Sequence, residues 1–99
     1  MRPSETKAKN IRVHLVISGR VQGVWYRGST KQRAEDLGLT GWVRNCESGQ
    51  VEVVVEGTNV AIDKLVSWCR TGPSMARVTD VRIDFEDYSG EFVGFRVKR

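Results

Sequence analysis

The feature that most constrains this chain is the changing period of its apolar residues. Over residues 11–17 they alternate: Ile11, Val13, Leu15 and Ile17 fall on one face, and Arg12, His14, Val16 and then Ser18 on the other. Such alternation builds a half-buried strand. Tyr26, Thr30, Ala34 and Leu37 then recur at helical spacing with polar residues between them, which predicts a helix over residues 25–37. Gly38 stands where a helix C-terminal cap belongs. The period returns to two over residues 41–46 and again at Val51, Val53 and Val55, with Ser48-Gly49 reading as the tight turn of a hairpin. Gly57 closes that hairpin, and Thr58 or Asn59 can cap a second helix. Its stripe is Ala61, Ile62, Leu65, Trp68 and Cys69, and Gly72-Pro73 stops it. Val81, Ile83 and Phe85 alternate with Asp80, Arg82 and Asp84 in a fourth strand, and residues 92–97 can add a short edge strand.

The resulting order is strand, helix, strand, strand, helix, strand. It predicts an α+β fold, the ferredoxin-like βαββαβ sandwich, in which two helices cover one face of an antiparallel sheet and the other face meets water. With 99 residues, 39% of them apolar, the chain has the material for one core and no internal boundary. Residues 1–10, MRPSETKAKN, are polar and without period, and are expected to form a flexible tail ahead of a domain over residues 11–99. No run is apolar and long enough to span a bilayer, and the start does not resemble a secretory signal, so no membrane contact is expected. Two cysteines, Cys46 and Cys69, make neither a disulfide framework nor a metal-ligand spacing, and the single His14 has no Cys or His neighbour. Alternation puts Cys46 on the open sheet face and Cys69 on the buried helical stripe, so free thiols, no metal and a reducing cytoplasm are expected. The formal net charge of +4 suits an anionic partner but does not choose among nucleic acid, anionic lipid and a phosphorylated small molecule.

The segment GRVQGVWYR, residues 19–27, joins the first strand to the first helix. Glycines there let the backbone take conformations with positive φ, so that successive N–H groups can point inward as an anion-binding nest. The helix behind adds its unpaired N–H groups and the positive end of its dipole. Arg27, in the first helical turn, carries a planar fork that matches two phosphate oxygens. The segment is not a nucleotide-binding loop of the Gly-Lys-Ser/Thr type, nor does it have the glycine spacing of a dinucleotide fingerprint. It also lacks the cysteine that a phosphotyrosine-phosphatase-like cradle uses as nucleophile. On spacing alone, a glycine-rich turn with an exposed arginine remains an alternative.

In GWVRNCESG, residues 41–49, alternation places Val43 on the helix-covered face and Asn45 on the same face at the hairpin end. A core-facing asparagine is costly unless its amide is used. It either closes the turn on local backbone or is aimed at a site beside the first loop.

Together, GRVQGVWYRG and GLTGWVRNCESGQVEVVVEG resemble the two signatures of the acylphosphatase family, and GPSMARVTDV after the second helix extends the likeness. The resemblance implies a small cytosolic enzyme that hydrolyses acyl phosphates, the mixed anhydrides of carboxylic and phosphoric acids, without a metal or other cofactor. It implies that Arg27 binds the phosphoryl group together with the backbone amides of Arg20, Val21, Gln22, Gly23 and Val24, and that Asn45 holds the attacking water. Inorganic phosphate would be product and competitive inhibitor, and the protein a monomer. The departures from the family pattern are minor: Trp25 occupies a variable position of the first signature, and Cys46 the one just past Asn45. No side chain of the two motifs is an obvious general base, and Glu47 would repel the phosphate. Two other readings compete. An RNA-binding module shares the element order, but it stacks bases on aromatics of its central strands. Here the first and third strands offer that face Arg12, His14, Val16, Glu52, Val54 and Glu56, so no nucleic-acid partner is expected. The other is an accessory domain, as acylphosphatase-like domains also occur within larger carbamoyl-transfer proteins.

Overall fold

The structure is a computed structural model and describes residues 9–98. The tail expected over residues 1–10 lies outside these, except for Lys9 and Asn10, and Asn10 already begins the first strand. The elements follow in the order β1 (Asn10–Arg20), α1 (Tyr26–Asp36), β2 (Thr40–Asn45), β3 (Val51–Thr58), α2 (Asn59–Cys69), β4 (Arg77–Glu86) and β5 (Phe95–Val97). This is the expected βαββαβ order with the added edge strand. Element ends move by a few residues: β1 runs on to Arg20, β4 begins at Arg77 and β5 is confined to Phe95–Val97. Gly57 does not close the hairpin as expected, because β3 continues through it to Thr58, pairing with the start of β1.

The strands form one sheet in the order β4-β1-β3-β2-β5. β1 is antiparallel to β3 and β4, and β3 to β2; β5 alone runs parallel, along β2. Val13 pairs with Val55, Leu15 with Val53 and Ile17 with Val51, and Val43 lies across from Val53. These residues are buried and face the helices. α1 lies against β2 and β5, and α2 against β1 and β3. Fully burying each such aliphatic side chain contributes about 1.5–3 kcal/mol, so this shared face is the main source of stability.

Tyr26 begins α1 and is buried with Thr30 and Ala34 one turn and two turns on. Its hydroxyl donates to the Cys69 carbonyl at 2.7 Å, which pins the start of α1 to the end of α2. The end of α1 is closed by bonds from the Gly38 amide to the Glu35 carbonyl and from the Leu39 amide to the Ala34 carbonyl. Thr58 caps α2, its hydroxyl accepting from the Ala61 amide at 3.2 Å.

The open face is less wet than its sequence suggests. Residues 87–94 fold back over part of it. Glu56 is buried there, accepting from the Ser89 amide at 2.9 Å, the Gly90 amide at 3.0 Å and the Ser89 hydroxyl at 3.1 Å. Arg12 pairs with the same carboxylate at 3.6 Å and stacks over Phe92. Burial of Glu56 could not be read from alternation, because Ser89 and Gly90 lie more than thirty residues on and act through two backbone N–H groups and one hydroxyl. Trp42 sits opposite Val54 on this face, with the Lys98 ammonium 4.3 Å from its ring centre. At the other end His14 and Arg44 both bond Glu52. Burial works to raise the Glu52 carboxyl, but those two hydrogen bonds prevail and hold it below its ordinary range. Cys46 is half-buried on this face, near Glu52, whereas Cys69 lies in the core, and both are free thiols.

Candidate active site

β1 ends in an irregularity: its register against β4 shifts between Ser18 and Gly19. A Cβ on Gly19 would meet the Arg77 carbonyl oxygen at 2.0 Å, so the close approach of the two strands admits only glycine. The chain then leaves the sheet and reverses. Gly23 has φ +75°, and Trp25, immediately before α1, has φ +63°. This left-handed passage turns the loop back over the start of α1. Among the described residues, the amides of Gln22, Gly23, Val24 and Trp25 donate to no protein acceptor. They join the open N–H groups of the first turn of α1.

The loop is held from below by a side chain. Gln22 sends its amide nitrogen to the carbonyls of Cys46 at 2.8 Å and Gln50 at 2.9 Å. Gln50 in turn donates to the Ser18 hydroxyl at 2.8 Å. These bonds join the loop to the β2–β3 hairpin, at the residue that follows Asn45.

A cleft of about 330 Å³ opens between these parts. Val21, Gly23 and Trp25 of the loop line it, with Tyr26, Arg27 and Gly28 of α1, Asn45 of β2 and Val97 of β5. Arg27 and Asn45, expected to share a site, therefore meet in one cleft from separate elements. Among the described residues neither side chain has a hydrogen-bond or ion-pair partner. The turn-closing alternative for Asn45 does not describe the hairpin: that turn is closed by backbone bonds from Cys46 to Gln50 and from Gly49 to Cys46. Of the five loop amides expected, those of Val21 and Gly23 belong to residues that line the cleft. Gln22 is the clasp beneath it. Val24 packs toward the core, and Arg20 is the exposed last residue of β1, paired across from Arg77 and outside the cleft lining.

Sequence reasoning missed three contributors. In the sequence Gln22 figures only as the bearer of a loop amide, and nothing in the glycine spacing distinguishes a clasp from an exposed glutamine. Val97 reaches the cleft because β5 runs parallel to β2, a pairing that alternation does not encode. Trp25 counts in the sequence only as a variable position, although a bulky side chain beside the anion loop is visible there.

The cleft combines open backbone N–H groups, a helix N-terminus, a guanidinium and a carboxamide, a set fitted to one small anion and a polar partner for it. Comparison with known proteins agrees. The sequence pattern of the Acylphosphatase family matches residues 13–97. An acylphosphatase of Methylococcus capsulatus is 52% identical over 88 residues, spanning 89% of this chain and 96% of that relative. Among solved structures, an acylphosphatase from Bacillus subtilis superposes with a TM-score of 0.87 at 28% identity, covering 90% of this chain and 99% of that one. One from Coxiella burnetii superposes with a TM-score of 0.80 at 40% identity, covering 99% of this chain and 100% of that one. The chain belongs to the acylphosphatase family and is an enzyme of that family.

Proposed function

We propose that this enzyme cleaves the carboxyl–phosphate anhydride of small acyl phosphates by metal-free attack of water at phosphorus. The observation that carries this reading is the convergence of Arg27 and the Asn45 carboxamide, both unpartnered among the described residues, on one small cleft beside open backbone amides. The phosphoryl group lies against the amides of the loop that follows Arg20, residues 21–24, and the Arg27 fork. The Asn45 carboxamide orients water on the side away from the acyl group. The water oxygen bonds to phosphorus, the bond from phosphorus to the carboxyl oxygen breaks, and a carboxylate leaves with both electrons. One water proton passes to a phosphoryl oxygen of the substrate, giving inorganic phosphate.

This division of labour is chemically sufficient. A carboxylate of low pKa is a good leaving group, so no strong general acid is needed. Phosphoryl transfer spreads negative charge over the equatorial oxygens, and positioning with a fixed positive field can then supply most of the catalysis. Inorganic phosphate occupies the same place as a competitive inhibitor. The protein acts as a cytoplasmic monomer, a setting that its two free thiols fit.

Phosphate release from acetyl, benzoyl and carbamoyl phosphate, each with and without a chelator, tests the reaction. Turnover in heavy-oxygen water tests the bond cleaved: the label enters phosphate if water attacks phosphorus, and the carboxylate if it attacks carbon. Label in the carboxylate, or activity abolished by the chelator, would overturn the mechanism. No turnover of any acyl phosphate, with binding of phosphate retained, favours the accessory-domain reading instead.

A further inference from the structure

Trp25 lies between the cleft and a second hollow. The residue is 74% exposed, and it is the one among those described, glycine apart, with a left-handed backbone, φ +63° and ψ +30°. Bulky residues take that conformation rarely, and strain of this kind collects where a side chain has to be aimed. The side chain is aimed across the first turn of α1: a Cβ on Gly28 would lie 2.2 Å from the indole nitrogen and 2.7 Å from Cε2. The indole therefore rests where any other residue at position 28 would put its side chain. It has no part in the core cluster, so packing of the interior does not account for it.

The second hollow, of about 350 Å³, has Trp25, Gly28, Trp68 and Pro73 in its lining, with polar residues of α1, Arg33 and Asp36 among them, along its other side. Trp25 and Gly28 also line the cleft that holds Arg27 and Asn45. One surface thus runs from the anion site, over the exposed indole, to Trp68 and Pro73. An acyl phosphate has a charged end and an acyl end. With the charged end held at the amides and Arg27, the acyl end has to extend out of the cleft, and the indole is the large apolar surface at its rim.

We infer that Trp25 is the specificity-determining contact for the acyl group, its indole receiving aromatic or long apolar acyl bodies along the groove toward Trp68 and Pro73. The inference rests on the acyl phosphate reading above. A ring stacked on indole gains beyond the burial of its area, whereas an acetyl group is too small to reach across it. The gain appears as a preference between substrates that share the same phosphoryl end.

The test compares kcat/KM for benzoyl and acetyl phosphate in the wild type, Trp25→Asn and Trp25→Phe. Asparagine tolerates the left-handed backbone and removes the ring; phenylalanine restores one. The expected result is a fall of about tenfold in the benzoyl-to-acetyl ratio in Trp25→Asn, carried mainly by KM for benzoyl phosphate, with most of it recovered in Trp25→Phe. General damage to the loop lowers both substrates together, so a ratio at the wild-type value in Trp25→Asn overturns the role of Trp25 whatever the absolute rates. A wild type that turns over neither substrate overturns the reaction itself, and this inference with it.

Discussion

The side-chain amide of Gln22 donates to the backbone carbonyl of Cys46 at 2.8 Å, across the gap between the anion loop and the strand end that carries Asn45. The bond fixes the spacing of two halves of the site that otherwise belong to separate connections of the sheet. Gln22→Ala removes it and its partner bond to Gln50. Each such hydrogen bond contributes about 1 kcal/mol to stability. Misplacement of a reacting group by about 1 Å can cost a hundredfold in rate. The variant should therefore lose far more kcat than its modest drop in melting temperature explains. Steady-state kinetics and thermal unfolding on the same preparation check this; a loss of activity matched by the loss of folded protein contradicts it.

Arg27 should not tolerate lysine. Lysine keeps the charge but loses the planar two-pronged contact. Removing one preorganised donor at a charged transition state costs about 3–4 kcal/mol. Arg27→Lys is expected to lose most activity while remaining folded, and Arg27→Ala at least as much. Inhibition by inorganic phosphate should weaken in both. Near-normal turnover and inhibition in Arg27→Ala would take the arginine out of the site.

The element order was legible because it rests on local rules; the same rules made Arg27 and Asn45 candidates, and the resemblance to the family signatures implied their roles. Alternation assigns a strand face, helical spacing assigns a stripe, and Asn45 falls two residues after Val43 on the face that Val43 buries. What stayed hidden depends on distant pairing. The burial of Glu56 needs the Ser89 and Gly90 amides, and the place of Val97 at the cleft needs β5 to run parallel along β2. The role of the Gln22 side chain needs the hairpin carbonyls to lie within its reach. A single sequence states which residues alternate, but not which loop folds back over them.

Alkaline conditions should destabilise the fold through one contact. Burial pushes the Cys69 thiol from 9.0 up to about 12. Burial, and then the Cys69 neighbourhood, push the Tyr26 phenol well above its ordinary 10.0. Both groups thus keep protons in the folded state that the unfolded chain releases. Their contribution is fully present below pH 9.0, the ordinary thiol value, and falls as pH rises from there toward about 12. Tyr26→Phe leaves the Cys69 carbonyl without its 2.7 Å donor, at a cost of about 1–3 kcal/mol near neutrality. The same variant should show a shallower decline between pH 9 and pH 11, since one of the two proton-retaining groups is gone. Urea midpoints across that range check both signs at once; parallel curves for the variant and wild type would contradict the assignment.

Acid acts through the open face. Glu52 is held below its ordinary value of 4.5 by His14 and Arg44 against the opposing effect of burial. A depressed carboxyl stabilises the fold above its unfolded value, and the contribution is lost as pH falls through the lower folded value. Glu52→Gln should therefore lower stability at pH 6 and leave the variant and wild type converging in strong acid. The difference at pH 6 should be modest, about 1 kcal/mol or less, because solvent screens a pair at the surface. Denaturant unfolding at pH 6 and pH 3 measures the convergence. A gap that widens toward acid contradicts it.

Asn45 separates binding from chemistry. If the loop amides and Arg27 hold the phosphate, deleting the carboxamide leaves the anion site largely whole. What is lost is the group that places water in line with the departing carboxylate. Orientation of a reactant can account for several kcal/mol of barrier. Asn45→Ala should therefore lower kcat by about a hundredfold or more, with inhibition by inorganic phosphate little changed. Stability should also hold, because Asn45 has no hydrogen-bond partner to lose among the described residues and the hairpin turn is closed by the backbone of Cys46, Gly49 and Gln50. Asn45→Asp sharpens the test: the carboxylate keeps the shape but repels the phosphoryl group, so phosphate inhibition should weaken as well as kcat. A lowered melting temperature in Asn45→Ala, with kcat per folded molecule near the wild-type value, would make Asn45 a structural residue and leave the orientation of water to another group.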